Sequence, residues 1–315
     1  MSTLVFGPVP SRRLGRSLGV NNIPAKVCSY NCVYCQLGRT FAPVAERRSF
    51  YSPKDIFRAV EKRVKELESR GERIDYITFV PDGEPTLDEN LGKEAMRIKG
   101  LGYPLAILTN SSLIYREDVR EDLAVFDYVS LKVDAVSENL WRAINRPHGS
   151  LRLEEILEGM LAFRRAYKGR LVTETMLVDG VDYKGELERI AGFLKQLKPD
   201  IAYVAVPTRP PAEKWVKPAT EVTVNKAYQL FGESVGNVEL LIGFEGTNFA
   251  TTGNPVEDLL SITSVHPMRD DAVRQLLARA GGQWSMIEEL LAQGKLVKLE
   301  YQGKTYYMRK IPSRR

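Results

Sequence analysis

The sequence Cys28-Ser-Tyr-Asn-Cys32-Val-Tyr-Cys35 holds the only three cysteines of a 315-residue chain. A CxxxCxxC spacing leaves one cysteine over in any disulfide arrangement, and a structural zinc site would need a fourth ligand. Three soft thiolates with one coordination position open are typical of an iron–sulfur cluster whose fourth iron takes a non-protein ligand. The alternative is three small buried hydrophobic residues. The absence of cysteine elsewhere favours the cluster.

Beyond this motif, short apolar segments alternate with amphipathic helices. The first 27 residues predict one or two strands and loops, and six further strands are predicted at 75–80, 105–109, 128–133, 171–178, 201–206 and 238–242. Helices are predicted from Ser52-Pro53 to about Gly71 and at 88–99, 116–123, 137–144, 151–167, 184–197 and 222–231. This alternation indicates a parallel α/β sheet, either a barrel or doubly wound. Six strands are too few for an eight-unit barrel, so we predict a partial (β/α)6 parallel barrel.

The last part of the chain follows another pattern. Helices are predicted at 256–261, 270–280 and 284–291, followed by strands at 296–301 and 304–309 around a Gln302-Gly303 turn. Three short helices before a hairpin predict a winged-helix-like domain. We therefore expect two domains, a partial barrel over residues 1–250 and a winged-helix-like domain over 251–315.

Charge and hydropathy restrict the cellular setting and the partners. No run of 18 apolar residues is present, and the N-terminus lacks the features of a signal peptide, so we expect a cytoplasmic protein and no membrane partner. Residues 1–50 carry a net charge of +6 and residues 266–315 a net charge of +5, whereas the whole chain carries +5. Basic ends on an acidic middle fit an anionic partner such as nucleic acid, although a solvated basic tail is the alternative.

The motif CxxxC-x-aromatic-C, with Tyr34 as the aromatic residue, resembles the radical S-adenosylmethionine (radical SAM) superfamily. The resemblance implies that Cys28, Cys32 and Cys35 hold a 4Fe-4S cluster, and that the amine and carboxylate of S-adenosylmethionine ligate the fourth iron. It also implies reductive cleavage of S-adenosylmethionine to a 5′-deoxyadenosyl radical, with Tyr34 on the adenine side. A one-electron donor such as flavodoxin or ferredoxin is then required.

A second motif resembles the same superfamily. Pro81-Asp82-Gly83-Glu84-Pro85-Thr86 is similar to its Gly-Gly-Glu motif, with Asp82 in place of the first glycine. The resemblance implies that Gly83, Glu84 and Pro85 bind the methionyl ammonium, and we expect Gly83 to let the backbone approach the ligand. Taken alone, the segment would be read as a surface turn.

Further polar residues lie on or after the predicted strands. Asn110, Ser130 and Lys132 are candidate contacts for the carboxylate and ribose of S-adenosylmethionine, and Asp134 is a candidate for an internal bond. Weaker candidates of the same kind are Thr173, Glu174, Thr175, Thr208 and Arg209. Arg12, Arg13 and Arg16 either contact phosphate or carboxylate groups of a ligand, or they are solvated loop charges or pair with acidic neighbours. His148 is interpreted as a surface histidine.

A closer similarity is to the tRNA wyosine-base synthases, which resemble this chain from about residue 10 to 245. Those enzymes carry additional cysteines for a second cluster, and this chain has none. The resemblance implies a radical enzyme that modifies an RNA base in tRNA, with an unassigned reaction. The alternatives are a radical SAM activase or modifier of a protein or peptide, and a non-catalytic cluster-binding regulator.

The winged-helix-like segment has two interpretations. Its third helix contains Glu288 and Glu289 and no basic residue, which is unfavourable for a nucleic-acid backbone. The hairpin and tail are basic, with Lys295, Lys298, Lys304, Arg309, Lys310, Arg314 and Arg315. RNA binding and protein docking both remain open at this point.

Overall fold

Eight strands among the described residues form one curved sheet in the computed structural model, which describes residues 4–243, 246–247 and 249–310. In chain order they are β1 Val5–Ser11, β2 Gly15–Val20, β3 Tyr76–Phe79, β4 Leu105–Thr109, β5 Tyr128–Lys132, β6 Arg170–Met176, β7 Ile201–Ala205 and β8 Val238–Leu241. Their order in the sheet is their order in the sequence. β1 is antiparallel to β2, and the later pairs are parallel. The partial-barrel prediction is confirmed, with β1 and β8 at the two edges of the sheet.

Helices connect the parallel strands. They are α1 Pro53–Glu68, α2 Leu91–Lys99, α3 Glu117–Leu123, α4 Glu138–Ile144, α5 Leu153–Ala166, α6 Glu186–Leu197 and α7 Glu221–Ser234. α1 illustrates the local cause: the Ser52 hydroxyl accepts the Lys54 backbone N–H at 3.2 Å, and Pro53 occupies the first turn. Its apolar residues, three or four apart, are buried in the main core with residues of the strands. Among the described helices, none combines the length and apolar character needed to cross a membrane.

The helix expected to begin at Asp88 begins instead at Leu91. A short 3-10 helix, Pro85–Leu87, intervenes, and the Asp88 backbone N–H donates to the Pro85 carbonyl at 3.2 Å. The Asp88 carboxylate then accepts the backbone N–H of Asn90 at 2.9 Å. Asp88 therefore closes the 3-10 turn with its backbone and caps the following turn with its side chain, as short polar side chains commonly do.

The C-terminal part contains α8 Pro255–Val265, β9 Met268–Arg269, α9 Asp270–Ala280, α10 Ser285–Ala292, β10 Leu296–Tyr301 and β11 Lys304–Arg309. The predicted hairpin is confirmed: β10 and β11 pair around Gln302 and Gly303, which have positive φ angles of 51° and 67°. β9 adds a third antiparallel strand in the order β10-β11-β9. The winged-helix-like assignment and the boundary at residue 250 stay predictions, and Arg314 and Arg315 lie outside the described residues.

α8 continues four residues beyond the predicted end at 261, because tertiary burial carries it to Val265. Leu259 and Ile262 share a buried cluster with Phe6 and Val9 of β1, so the helix packs against that edge of the sheet. The Thr263 hydroxyl donates to the Leu259 carbonyl at 2.6 Å, so this buried hydroxyl has a hydrogen-bond partner within the helix. The C-terminal part therefore packs against the barrel edge next to the N-terminal segment.

Candidate active site

A cavity of about 330 Å³ lies at the carboxyl ends of the parallel strands, beside the cysteine motif. Six of the predicted site residues line it, namely Cys32, Tyr34, Cys35, Asn110, Ser130 and Lys132. Cys28, Gly83, Glu84 and Pro85 are not among the lining residues. Residues more than 100 positions apart in the sequence thus meet at one site, as expected at the carboxyl ends of a parallel sheet.

Each cysteine sulfur faces a nitrogen donor. The side-chain amide of Asn110 donates to Cys28 Sγ at 3.6 Å, and that of Asn145 to Cys32 Sγ at 3.5 Å. Lys26 Nζ lies 3.7 Å from Cys35 Sγ and donates to the Gly38 carbonyl at 2.6 Å. Donors of this kind stabilise negative charge on sulfur.

The donor chemistry of the motif fits an iron–sulfur cluster better than a single metal ion. All three cysteines are free. In the described part of the chain, no three His, Cys, Asp or Glu side chains are grouped to hold one ion. A 4Fe-4S cluster places different demands on its ligands, because each thiolate binds a separate iron. Three sulfurs with separate N–H donors meet those demands.

Burial shapes the acidity of two of these thiols. It raises the pKa of Cys28, and it raises the pKa of Cys32 to about 12, against the opposing effect of the Asn145 hydrogen bond. Both side chains are therefore neutral thiols at neutral pH when no metal is bound. Ligation of iron would release these protons.

The Glu84 carboxylate is buried and accepts four hydrogen bonds. The donors are Thr86 N at 3.0 Å, Thr86 Oγ1 at 2.7 Å, Thr109 Oγ1 at 2.6 Å and Asn110 N at 2.7 Å. Burial raises the pKa of Glu84, and these hydrogen bonds oppose the rise. The carboxylate joins the end of β3 to the end of β4 and fixes the backbone of Asn110. A direct contact between Glu84 and a cofactor stays a prediction.

The structure gives a further physical reason why position 83 is glycine, beside the expected approach of the ligand. A Cβ at this position would overlap the carbonyl oxygen of Val27 and would lie 2.9 Å from Ile23 Cδ1. The Glu84 backbone N–H donates to the same carbonyl at 3.0 Å. The close approach of the cysteine loop therefore requires glycine at this position, and the approach of a ligand to Gly83 stays a prediction. Pro85 is buried and begins the 3-10 helix.

Asn110 and Ser130 lie at neighbouring strand positions, but their side chains differ in the number of hydrogen bonds they make. The Asn110 amide also donates to Ser29 Oγ at 2.9 Å, and its carbonyl oxygen accepts Ser112 N at 2.9 Å. Ser130 Oγ accepts a long hydrogen bond from Arg13 at 3.4 Å. Asn110 is therefore held rigidly by the protein, whereas Ser130 has capacity for a further partner.

Tyr34 is oriented by buried polar residues. Its hydroxyl donates to Asp134, which also accepts Asn145 Nδ2 at 2.7 Å and Met176 N at 2.8 Å. Lys132 Nζ lies 5.0 Å from the centre of the Tyr34 ring, which is a cation–π arrangement. Asp134 therefore makes internal hydrogen bonds, as expected from the sequence. Tyr34 is held by them with its ring at the cavity.

Glu174 pairs with two cations in the same cavity. One carboxylate oxygen bonds Lys132 Nζ and the other bonds Arg13. Burial alone would raise the pKa of Glu174, but these two cations lower it to about 2. Burial likewise lowers the pKa of Lys132, and Glu174 and Asp134 raise it above its usual value. The three side chains are ionised together.

Arg209 connects the cysteine loop to the C-terminal part. It donates to Gln36 Oε1 at 2.6 Å and lies 3.2 Å from His266 Nε2, while Gln36 donates to the Val265 carbonyl at 3.0 Å. Burial lowers the pKa of Arg209 to about 10, and burial with Arg209 lowers that of His266 well below its usual value. The end of α8 is thereby tied to the residue that follows Cys35.

Sequence reasoning did not assign three residues of this site, Asn145, Lys26 and Gln36. Asn145 is in the Asn145-Arg146-Pro147-His148 loop, in which only the histidine was considered as a candidate. His148 bonds Ser150 at 2.8 Å and does not line the cavity. Lys26 has a positive φ of 64°, which no sequence pattern indicated. A polar residue beside a cysteine motif was the only available signal for Lys26 and Gln36.

Comparison with known proteins places the chain among relatives of similar fold. Residues 22–194 match the sequence profile of the Radical SAM superfamily. The UPF0026 protein MJ1312 of Methanocaldococcus jannaschii is 53% identical over 99% of this chain and 98% of its own length.

Two solved structures share the fold. A radical SAM methyltransferase from Sphaerobacter thermophilus has a TM-score of 0.53 at 16% identity, over 72% of this chain and 66% of that one. TYW1 with a lysine-pyruvate adduct bound has a TM-score of 0.53 at 14% identity, over 70% of this chain and 74% of that one. At these identities the similarity supports the fold alone.

Proposed function

This chain belongs to the radical SAM superfamily, and from that premise we propose that it is a 4Fe-4S enzyme that modifies a base in tRNA. The prediction of an enzyme is confirmed by this membership. The RNA substrate is the proposed part. It is supported by the positions of the basic segments around the cavity.

In this proposal Cys28, Cys32 and Cys35 hold the cluster, and Asn110, Ser130 and Lys132 border the space for S-adenosylmethionine. When bound there, and with an electron from a donor such as flavodoxin or ferredoxin, these cofactors would supply the chemistry for radical removal of a hydrogen atom from the substrate. The chain's own residues hold the site in place.

The observation that carries the RNA proposal is that one basic segment lines the cavity and the other contacts residues that line it. Arg12 and Arg13 of the N-terminal segment line it together with Cys32 and Cys35. From the hairpin, the Tyr301 hydroxyl donates to the Pro207 carbonyl at 3.0 Å and the Tyr306 hydroxyl to the Thr208 carbonyl at 2.9 Å, and Pro207 and Thr208 also line the cavity. The exposed basic residues of the hairpin region are Lys295, Lys298, Lys304 and Lys310.

This arrangement suits a polyanion with one base inside the site. A phosphate backbone could follow the hairpin to the rim of the cavity, since lysine and arginine contacts to phosphate supply affinity that does not depend on sequence. The base itself would enter between the cysteine loop and the strand ends. Binding of this kind weakens as salt concentration rises.

The test is 5′-deoxyadenosine release by anaerobically reconstituted enzyme with reductant and S-adenosylmethionine, with and without tRNA. We expect tRNA to increase the release and one nucleoside of the recovered tRNA to change mass. The Cys32→Ala variant is the control for background cleavage. Release that tRNA does not increase, with all nucleosides unchanged, would contradict the RNA substrate.

The same assay separates the alternative substrate class. A cell extract is treated with ribonuclease in one arm and with protease, later inactivated, in the other. If the substrate is RNA, stimulation is lost with ribonuclease and survives protease. The reverse result would indicate a protein or peptide substrate and overturn the proposal.

A further inference from the structure

The side-chain amide of Gln36 bridges the barrel and the C-terminal part. Gln36 directly follows Cys35 in the sequence. Its Oε1 accepts a hydrogen bond from Arg209 at 2.6 Å, and its Nε2 donates to the Val265 carbonyl at 3.0 Å. Arg209 lies shortly after the end of β7, and Val265 is the last residue of α8. The residue next to a predicted cluster ligand is therefore bonded to two distant segments.

The C-terminal hairpin leads from α8 back to the same arginine. β9 begins soon after Val265, and it pairs with β11 beside Tyr306. The Tyr306 hydroxyl donates to the Thr208 carbonyl at 2.9 Å, and Thr208 directly precedes Arg209. Covalent and hydrogen-bonded links thus form a closed ring, which passes through the cysteine loop, the end of α8 and the hairpin and returns to Arg209.

Residues 207–209, which we call the wall segment, form the part of this ring that borders the cavity. Pro207, Thr208 and Arg209 all line the cavity, and they lie in neither a strand nor a helix. A second side chain of the hairpin contacts the segment, since the Tyr301 hydroxyl donates to the Pro207 carbonyl at 3.0 Å. Because the segment is outside the regular hydrogen-bond ladders, its position depends on side-chain hydrogen bonds such as these.

The two tyrosine hydroxyls are able to donate throughout the neutral pH range. Burial raises the pKa of Tyr306, and it raises the pKa of Tyr301 to about 12. Both hydroxyls therefore keep their protons at neutral pH. Pro207 is buried, so its carbonyl oxygen has little water to replace a lost donor. Removal of a hydroxyl would then leave an acceptor without its bond and favour displacement of the wall segment.

A displacement of the wall segment would also affect the cysteine loop. Arg209 bonds Gln36, and the backbone of Gln36 is continuous with that of Cys35. Gln36 and the wall segment line the same cavity. Enzyme rates respond steeply to such displacements, since a misplacement of about 1 Å can lower a rate about 100-fold. The position of the hairpin is therefore linked to the geometry of the site.

We propose that Gln36 and Tyr306 are positioning residues, which couple the C-terminal hairpin to the cysteine loop through the wall segment. A polyanion that binds the hairpin thereby changes the rate at which S-adenosylmethionine is cleaved. The inference rests on the proposed function in taking RNA as that polyanion. The positioning role itself rests on the hydrogen-bonded ring and requires no particular substrate.

The experiment is a double-mutant cycle on the reconstituted enzyme. Tyr306→Phe removes one hydroxyl and keeps the buried ring, and Gln36→Leu removes both amide hydrogen bonds at similar size. Release of 5′-deoxyadenosine is measured with dithionite as the reductant over a range of S-adenosylmethionine concentrations, first without nucleic acid and then with bulk tRNA. Thermal unfolding and iron content verify that each variant is folded and loaded.

Two matched controls remove the same groups elsewhere. Tyr103→Phe removes an exposed hydroxyl that donates to Glu68 at 2.7 Å, just before β4. Gln293→Leu removes an exposed amide that donates to Glu289 at 2.9 Å, at the end of α10. We expect both controls to keep the wild-type rate.

Without nucleic acid, we expect Tyr306→Phe and Gln36→Leu each to lower kcat by about three- to tenfold, the effect of a lost hydrogen bond, and to leave the KM for S-adenosylmethionine nearly unchanged. Such a split indicates that an interaction of the reacting state has been lost and not one of binding. The double variant should be no slower than the slower single variant, because both substitutions open the same ring. Stimulation by tRNA should fall in both single variants.

The outcomes separate the claims. Wild-type rates, a loss confined to KM, or a double variant whose loss is the product of the two single losses would overturn the positioning role. Stimulation by tRNA that is undiminished in both single variants would overturn the coupling to the hairpin. If the variants behave as expected but tRNA does not stimulate even the wild type, the RNA function fails and the positioning role stands.

A second variant keeps the cycle decisive if Gln36→Leu loads less iron than the wild type. Tyr301→Phe then takes its place, because the Tyr301 hydroxyl bonds the same wall segment from the hairpin side. The expected losses in kcat and the expected non-additivity with Tyr306→Phe are the same, and additive losses would again overturn the proposal.

Discussion

The two sides of the cavity differ in how their polar groups are satisfied. The cysteine side comprises the lining residues Cys32, Cys35 and Asn110 with Cys28, Glu84 and Asn145, which bond to them. The arginine side comprises Arg12, Arg13, Lys132, Glu174 and Arg209. On the cysteine side, Glu84 accepts four hydrogen bonds within the protein and two amides face the sulfurs. On the arginine side, Glu174 pairs with Arg13 and Lys132, and Arg209 donates to Gln36 and lies beside His266. The first side is preorganised by hydrogen bonds within the protein, whereas the second depends on ion pairs between residues far apart in sequence.

The largest effect is expected from Cys32→Ala, which removes a ligand from the preorganised side. Two remaining cysteines cannot replace it, since the chain has no fourth. We expect loss of the visible absorbance of the cluster and of S-adenosylmethionine cleavage. Circular dichroism tests whether the variant is folded. A variant with a complete cluster would show that the cysteine side is not the ligand set.

Glu174→Gln tests the arginine side through its only carboxylate among the lining residues. The substitution leaves Lys132 and Arg13 as buried cations without compensation. Breaking a buried ion pair in this way typically lowers the free energy of unfolding by about 3–5 kcal/mol. Urea unfolding measures the loss, and Glu239→Gln, an exposed acid on β8, is the matched control. Equal stability of the two variants would remove the contrast between the sides.

The same pair predicts a dependence on pH. The folded pKa of Glu174 is lowered to about 2 from its usual 4.5. The unfolded chain therefore takes up the proton first as pH falls, so the stabilisation present at neutral pH is lost between about 4.5 and 2. In Glu174→Gln this component should be absent from the difference between pH 6 and pH 3.

Gly83→Val tests whether the cysteine side depends on close backbone packing. The new side chain would collide with the Val27 carbonyl, so the cysteine loop must move. We expect a loss of about 1–3 kcal/mol in the free energy of unfolding, with lower cluster content and weaker S-adenosylmethionine binding. Gly192→Val in α6 is the control, because a Cβ there meets nothing within 4 Å. Full cluster content with only the cofactor affinity reduced would favour the original ligand-approach explanation.

The smallest effect is expected from Asp82→Asn. Burial raises the pKa of Asp82 to about 7, although Lys26 and Arg309 act to lower it, and Asp82 Oδ1 has no hydrogen-bond partner among the described residues. The folded chain holds this proton up to about pH 7, whereas the unfolded chain loses it near 3.8, so the wild type loses stability as pH rises between these values. The asparagine variant has no charge to bury and should therefore be more stable than the wild type at pH 8.

Thermal unfolding from pH 4 to pH 8 measures the Asp82 effect. The advantage of Asp82→Asn should disappear near pH 4, where the wild-type side chain is neutral in both states. Asp179→Asn, an exposed acid in a turn, is the control and should show no such trend. The same advantage at pH 4 and pH 8 would exclude ionisation as the cause.

Much of the fold and the cysteine side could be predicted from local sequence. The apolar spacing of α1 and the Gln302-Gly303 turn lead to elements with the expected positions. The end of α8 could not be predicted, because packing against β1 and not local propensity carries the helix to Val265. The start of α2 was misplaced because Asp88 closes a 3-10 turn.

The arginine side was visible in the sequence only as isolated polar residues. Arg13 and Glu174 are 161 positions apart, and Lys132 and Glu174 are 42 apart. No local pattern connects such residues, so the sequence could not show that Glu174 compensates two cations. It also could not show that Asn145 would reach Cys32.

By itself the sequence determined the ligand chemistry and the alternation of strands and helices. Both follow from spacing along the chain: three thiolates within eight residues, and apolar residues at intervals of two or of three to four. The tertiary structure alone decided which charges are paired, why position 83 must be glycine, and that the hairpin contacts two residues of the cavity wall. These properties depend on distances between residues far apart in sequence and on the water excluded around them, because burial sets the strength of every charge interaction.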